Sequence, residues 1–243
     1  MLVDAGGTPC ALDALCVRGV QGVDGAPALR DLSQLLGGGP EAQPGLAVAL
    51  EVPAGMVLRV RQVHGVVDVA GARSHLLPAG VSRRLGRVAR GALELEGGLY
   101  LDVDLLTLDG ALPVPEPPAA DVVSGEPLEG RTLVFRAGER AWALPLSAVT
   151  HVMQSPGMCP TPGRSAALVS HGGALWPLFA LGRTTRNMAT VVLAEHLGRP
   201  VGLLASEVLG IFDQPVPAAQ PGTWSVPGVD SPAVGLDLGL LFA

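Results

Sequence analysis

The sequence predicts an all-β protein that carries the same unit twice, and three observations lead there. First, 33 glycines and 22 prolines make up more than a fifth of the 243 residues. They cut regular elements into short pieces, because glycine costs backbone entropy and proline removes a hydrogen-bond donor. Second, apolar residues reach 48% while aromatics reach only 3%, so the core must be built from Val, Leu and Ala. Third, four blocks recur in one order on both sides of a proline-rich stretch. Order is the stronger test of duplication, since short apolar runs resemble one another by chance.

The first block, "LVDAGGTPCALDALCVRGV" against "LVFRAGERAWALPLSAVTHV", reads as a turn, an apolar run, a polar interruption and a valine-rich end. "GAPALRDLSQLLG" then parallels "GALWPLFALGR", where Pro177 needs a strand start, an edge or a bulge because it cannot donate to a ladder. The third block is a central hairpin. "LAVALEVPAGMVLRVRQVHGVVDV" parallels "VVLAEHLGRPVGLLASEVLGIFD", β-branched runs broken by glycine or a charged turn. "LYLDVDLLTL" and "AVGLDLGLLF" close the units. The stretch from Ala111 to Gly130 holds five prolines and four acids without periodicity, as expected of an extended linker. The organisation is therefore residues 1–110, a linker at 111–130, and residues 131–243. The second copy has an extra stretch, "QSPGMCPTPGRSAALVSH", expected in a surface loop.

Composition excludes several functions. A net charge of −6 without a basic tract argues against nucleic acid. No apolar run approaches the roughly 18 to 20 residues that span a bilayer, so no membrane insertion and a cytoplasmic location are expected. Cys10, Cys16 and Cys159 match no metal or redox spacing and read as small hydrophobes. The chain has no lysine, excluding Schiff-base chemistry and a phosphate-loop lysine. His64, His75, His151, His171 and His196 form no metal-binding pair and read as turn or surface residues. The triple glycine at 37–39 reads as a turn. "LVDAGGT" resembles the acidic loop of aspartic proteases, with Asp4 as its carboxylate, but the second copy has no acid in register. No catalytic residue, cofactor or metal is expected, and the chain is read as a non-enzyme.

The ordered blocks resemble the bacterial chemotaxis coupling protein family, CheW, and its CheW-like domains. The second copy carries the family phrases as "AWALPLSAVTHV", "ALVSHGGALWPLFALG", "VGLLASEVLGIF" and "VGLDLGLLF"; the first carries them as "CALDALCVRGV", "VDGAPALRDLSQLLG", "VLRVRQVHGVVDV" and "YLDVDLLTL". The resemblance implies two tandem domains, each a pair of small SH3-like antiparallel β-barrels, the first shortened. It implies docking on a sensory histidine kinase's CheW-like regulatory domain, on a chemoreceptor tip, or on other CheW-like proteins, with recruitment to membrane-associated arrays. It also implies that Val149 and Val17 contribute to an apolar groove, with Val152, Val20 and His151 beside them. Two departures stand out: Gly172 falls where the family has an arginine used in partner contacts, and Ala180 falls where it has an aspartate, which the first copy keeps as Asp31. They leave open a second reading, a CheW-like scaffold serving polarity, motility or another assembly outside the array.

A final candidate is "SRRLGRVARG", which concentrates Arg83, Arg84, Arg87 and Arg90. It reads as a solvated loop or short helix, or as a docking face for an acidic partner, since arginine pairs bidentately with carboxylates.

Overall fold

The computed structural model describes residues 1–24, 29–40, 44–85, 87–95, 98–110, 128, 130–154, 156–161, 165–181, 190–213 and 215–242. Most of the stretch read as a linker lies outside them. In the first half, β1 (Leu2–Ala5), β2 (Thr8–Ala11), β3 (Val17–Gly22), β4 (Leu29–Asp31), β5 (Leu46–Leu50), β6 (Val57–Val60), β7 (Gln62–Gly65), β8 (Arg73–Leu76), β9 (Ala89–Leu95) and β10 (Gly98–Val103) follow one another. Two short helices interrupt them, α1 (Leu32–Leu35) and α2 (Ala79–Leu85). Asp31 starts α1 by accepting the Ser33 amide at 2.9 Å, an N-cap that satisfies an otherwise orphaned donor.

The second half has β11 (Thr132–Ala137), β12 (Arg140–Pro145), β13 (Val149–Gln154), β14 (Met158–Pro160), β15 (Ser165–His171), β16 (Ala174–Ala180), β17 (Thr190–His196), β18 (Arg199–Ala205), β19 (Glu207–Phe212), β20 (Val216–Pro217), β21 (Thr223–Ser225) and β22 (Ala233–Gly235). The fold is all-β, its sheets curled into half-barrels.

The duplication is visible in the ladders. One sheet of the first half runs β7-β1-β2-β10-β9-β8, and its counterpart runs β19-β11-β12-β22-β21-β20. The smaller sheet runs β3-β5-β6-β4, and β13-β17-β18-β16 repeats that order. Parallel pairs also recur: β10 with β2 and β22 with β12, β4 with β6 and β16 with β18. Bulges fall at matching residues. The ladder slips between Leu2 and Val3 opposite Gly65, and between Val134 and Phe135 opposite Gly210; both glycines have φ beyond +130°. Bulges bend a strand and raise its twist, which is how short strands curl around a core. Asp31 pairs with Arg59 and Ala180 with Leu204, so the aspartate of one copy and the alanine of the other occupy equivalent places. Pro177 lies just before Leu178, the first residue of β16 paired with β18, where its missing N–H costs nothing to that ladder.

The chain forms two compact units that do not coincide with its two halves. Unit 1 is Met1–Pro118 with Gly157–Leu175; unit 2 is Ala119–Pro156 with Trp176–Ala243. Unit 1 closes over an aliphatic core that includes Val3, Leu32, Leu36, Leu58, Leu85, Leu101 and Leu108, and Cys159, Leu168 and Leu175 join it. The core of unit 2 centres on Phe135, Trp142, Leu144, Val192, Leu203 and Leu236.

The extra stretch of the second copy is thus not the expected surface loop. It folds as the hairpin β14–β15, with Met158 opposite Val169 and Cys159 opposite Leu168, and both Cys159 and Leu168 are fully buried in unit 1. A continuous apolar run such as Ala166–Val169 cannot stay solvated at low cost, at about 1.5–3 kcal/mol per exposed large aliphatic side chain. The first half has only residues 23–28 between β3 and β4, whereas residues 155–173 lie between β13 and β16. The hairpin supplies to unit 1 what its own half lacks.

One residue breaks the local rule. Leu197, in the tight turn joining β17 to β18, has φ of 51°, with Gly198 at 73°, and its side chain is 90% exposed. Two positive-φ residues in a two-residue hairpin favour Asn-Gly, and a leucine there is strained without compensating burial. Leu197→Asn is expected to stabilise the protein by about 0.5–1 kcal/mol, read as a higher midpoint in urea unfolding at unchanged slope.

Candidate functional site

Strands β3 and β13 begin at equivalent points, each after a single 3-10 turn, Ala14–Cys16 and Leu146–Ala148. In both, the ladder slips after the first residue: Val17 pairs with Leu50 and Gly19 with Ala49, while Val149 pairs with Ala194 and His151 with Leu193. The residues extruded by the bulges are Arg18 and Thr150. Thr150 donates its hydroxyl to the Leu193 carbonyl at 3.1 Å and so closes the gap left in the ladder.

This geometry divides the valines into two pairs. Val17 and Val149 are half-buried and pack against the cores of their own units. Val20 and Val152 are exposed at 43% and 37%. His151 is exposed as well. Among the described residues each strand pairs on one side only, β3 with β5 and β13 with β17. An unpaired edge with an apolar side chain is a template for another chain unless it is managed, and the bulge twists it away from flat strand addition. The available surface of each copy is therefore the outer face of an edge strand, with the leading valine anchored beneath it. In unit 1 the exposed Leu15 (92%) lies in the turn that leads into β3, and Val52 (42%), whose amide donates to the Cys16 carbonyl at 3.5 Å, adds to the apolar surface.

Gly172 lies in the β15–β16 turn with Gly173, at φ of 60° and 78°. Two successive left-handed residues suit glycine, so turn geometry accounts for Gly172 where the family has arginine.

The arginines do not form one uniform face. Arg83 and Arg84 lie on α2 and Arg90 on β9. Arg90 donates to Asp102 at 3.0 Å, Arg84 is half-buried with its Nη2 atom shut away from solvent, and Arg83 and Arg87 are exposed. Arg83, Arg87 and Arg90 are thus the exposed charges of this segment, with Arg90 paired to Asp102.

Asp4 is a turn residue. Its Oδ1 accepts the Gly7 amide at 2.7 Å and lies 3.9 Å from Arg61 Nε, and the equivalent residue of the second copy is Arg136, opposite Glu207 as Asp4 is opposite Gln62. A cation thus stands in the second copy where a protease-like dyad would need its second carboxylate. Cys10 and Cys159 are buried, and burial pushes the Cys159 thiol up to about 12. Among the described residues no group of three or more His, Cys, Asp or Glu side chains could hold a metal ion. No helix of the described residues is long and apolar enough to cross a membrane.

One histidine departs from expectation. His75 is buried in unit 1, and its Nε2 lies 2.8 Å from Glu94 Oε2, which also accepts the Ser170 hydroxyl at 3.1 Å from the second copy's hairpin. The hydrogen bond from His75 holds the Glu94 carboxyl below its ordinary 4.5, helped by Ser170 and Arg73. A depressed carboxylate contributes stability that is present above its unfolded value and lost as pH falls through its folded value. Unfolding stability is expected to drop as pH descends below about 4.5, and Glu94→Gln should flatten that part of the profile in denaturant titrations at stepped pH. The sequence alone reads His75 as a turn or surface residue; the pairing of β8 with β9 is what brings Glu94 to it.

The class follows from these features: a duplicated β body with a bulged, exposed edge strand in each copy. Residues 131–234 match the family model of the CheW-like domain, and the first half repeats the strand order of that matched stretch. A solved structure similar to this chain is the scaffolding protein TtCheW from Thermoanaerobacter tengcongensis, at 17% identity, covering 46% of this chain and 91% of that one with a TM-score of 0.38. No curated protein matches the sequence significantly.

Proposed function

We propose that this protein is a non-enzymatic adaptor of a bacterial chemosensory system, acting in the cytoplasm by docking on a sensory kinase's CheW-like regulatory domain and on chemoreceptors. The observation that carries the reading is the CheW-like domain at residues 131–234. The exposed edge valines Val20 and Val152 support it, because they offer apolar contact at matching places in both copies. Two such surfaces on one chain raise the local concentration of the second once the first is engaged, without any new contact. Outward Arg83 and Arg87 would speed encounter with an acidic partner in a salt-dependent way. The purified protein mixed with a kinase regulatory domain and receptor signalling fragments tests this by co-sedimentation. Recovery of both supports coupling. Binding to neither, with capture of other scaffold proteins instead, supports the second reading of a scaffold outside the array, which the glycine at 172 favours.

A further inference from the structure

The described cleft of about 450 Å³ in unit 1 is not used by the docking surfaces. It opens between the β1–β2 turn, the segment after α1, Arg61 and the end of β14. That volume lies within the range of small-molecule sites, roughly 300–1,000 Å³. Its lining is unusual for this molecule. No leucine or valine contributes, although these two types build most of the core. Instead Thr8, Ser33 and Thr161 meet there, three of the four buried polar residues described in unit 1. Hydroxyls so close to an aliphatic core need partners. Ser33 donates to the Gly39 carbonyl at 3.1 Å, and Thr8 keeps only 3% of its surface exposed beside it.

The cation of the cleft is held in place. Asp4 accepts the Gly7 amide at 2.7 Å and lies 3.9 Å from Arg61 Nε. The guanidinium lies so close over the turn that a Cβ at Gly7 would approach Arg61 Nη1 to 3.9 Å. Arg61 keeps 43% of its side chain exposed. A guanidinium is a planar fork that matches carboxylate and phosphate oxygens.

The fold itself does not demand these residues. In the second copy the same turn is Ala137-Gly138-Glu139-Arg140, with Ser206 in the place of Arg61. Both places make the same backbone hydrogen bond, Arg61 to the Asp4 carbonyl at 2.8 Å and Ser206 to the Arg136 carbonyl at 2.9 Å. Glycine, threonine and arginine thus belong to the first copy alone, and the hairpin lent by the second half completes the cleft with Thr161.

We infer that unit 1 carries a binding site for a small polar ligand with an oxyanion group, a carboxylate or a phosphate, recognised by Arg61 and Thr8. Occupancy ties the lent hairpin to the β1–β2 turn through the ligand. Calorimetric titration of the full chain with sodium phosphate and, separately, sodium succinate, each against sodium chloride at equal ionic strength, tests this. Saturable binding of at least one anion is expected, weakened at least tenfold by Arg61→Gln and by Thr8→Val. A response to phosphate alone or to succinate alone identifies which oxyanion the site takes. Heat no greater than with chloride for both anions overturns the inference, as does affinity unchanged in Arg61→Gln. If Arg61→Gln does not fold, unchanged affinity in Thr8→Val overturns it.

Discussion

Cut after residue 130, the first half is expected to lose the cooperative fold it has in the full chain. Its own strands make both sheets of unit 1, but the core beneath them includes Cys159, Leu168 and Leu175 from beyond the cut. Two fully or nearly fully buried leucines and a cysteine contribute roughly 4–7 kcal/mol by burial, comparable with the whole stability of a domain, about 5–15 kcal/mol. The cut also strands polar groups. Glu94 loses the Ser170 hydroxyl, and the Pro9 carbonyl loses the Cys159 thiol at 3.8 Å. Fragment 1–130 should therefore unfold over a broad range and bind a hydrophobic dye. Joining residues 157–175 to it through a Gly/Ser linker should restore a sharp transition. A sharp transition in fragment 1–130 alone would show that the hairpin is dispensable.

The second large effect concerns docking. Val152→Arg and Val20→Arg place a charge on an edge that is already exposed, so the fold should tolerate either change to within about 0.5 kcal/mol. A desolvated arginine in an apolar contact has no partner and costs several kcal/mol. Affinity for the kinase regulatory domain should fall at least tenfold in one or both variants, and further in the double variant if the copies act together. Val149→Arg is a poorer probe, because Val149 packs against the core of unit 2 and its loss of binding would be confounded by unfolding. Equal affinity in the double variant would move the docking surface elsewhere.

Much of this architecture was legible from residue order. The register that equates Val17 with Val149, and Asp31 with Ala180, reproduces in the ladders, because turn residues and alternation fix local pairing. Where β14–β15 goes was not legible. The apolar residues of "GMCP" and "SAALVSH" carry no information about which sheet covers them, and the duplication suggested that each half completes itself. The same limit hid the burial of His75, since Glu94 lies nineteen residues away in sequence. The arginine segment looked uniform because spacing alone cannot reveal that Asp102 reaches Arg90 across β9 and β10. The cleft was invisible because its hydroxyls, its glycines and Arg61 come from four separate segments.

The claim on which the functional account rests is that β3 and β13 are where partners bind. Hydrogen exchange of the full chain, with and without a kinase regulatory domain, tests it most directly. The account predicts new protection in residues 17–22, in 149–154 or in both, with the remaining strands unchanged. Protection confined to other segments, with both edges exchanging as fast in the complex as in the free protein, would contradict it.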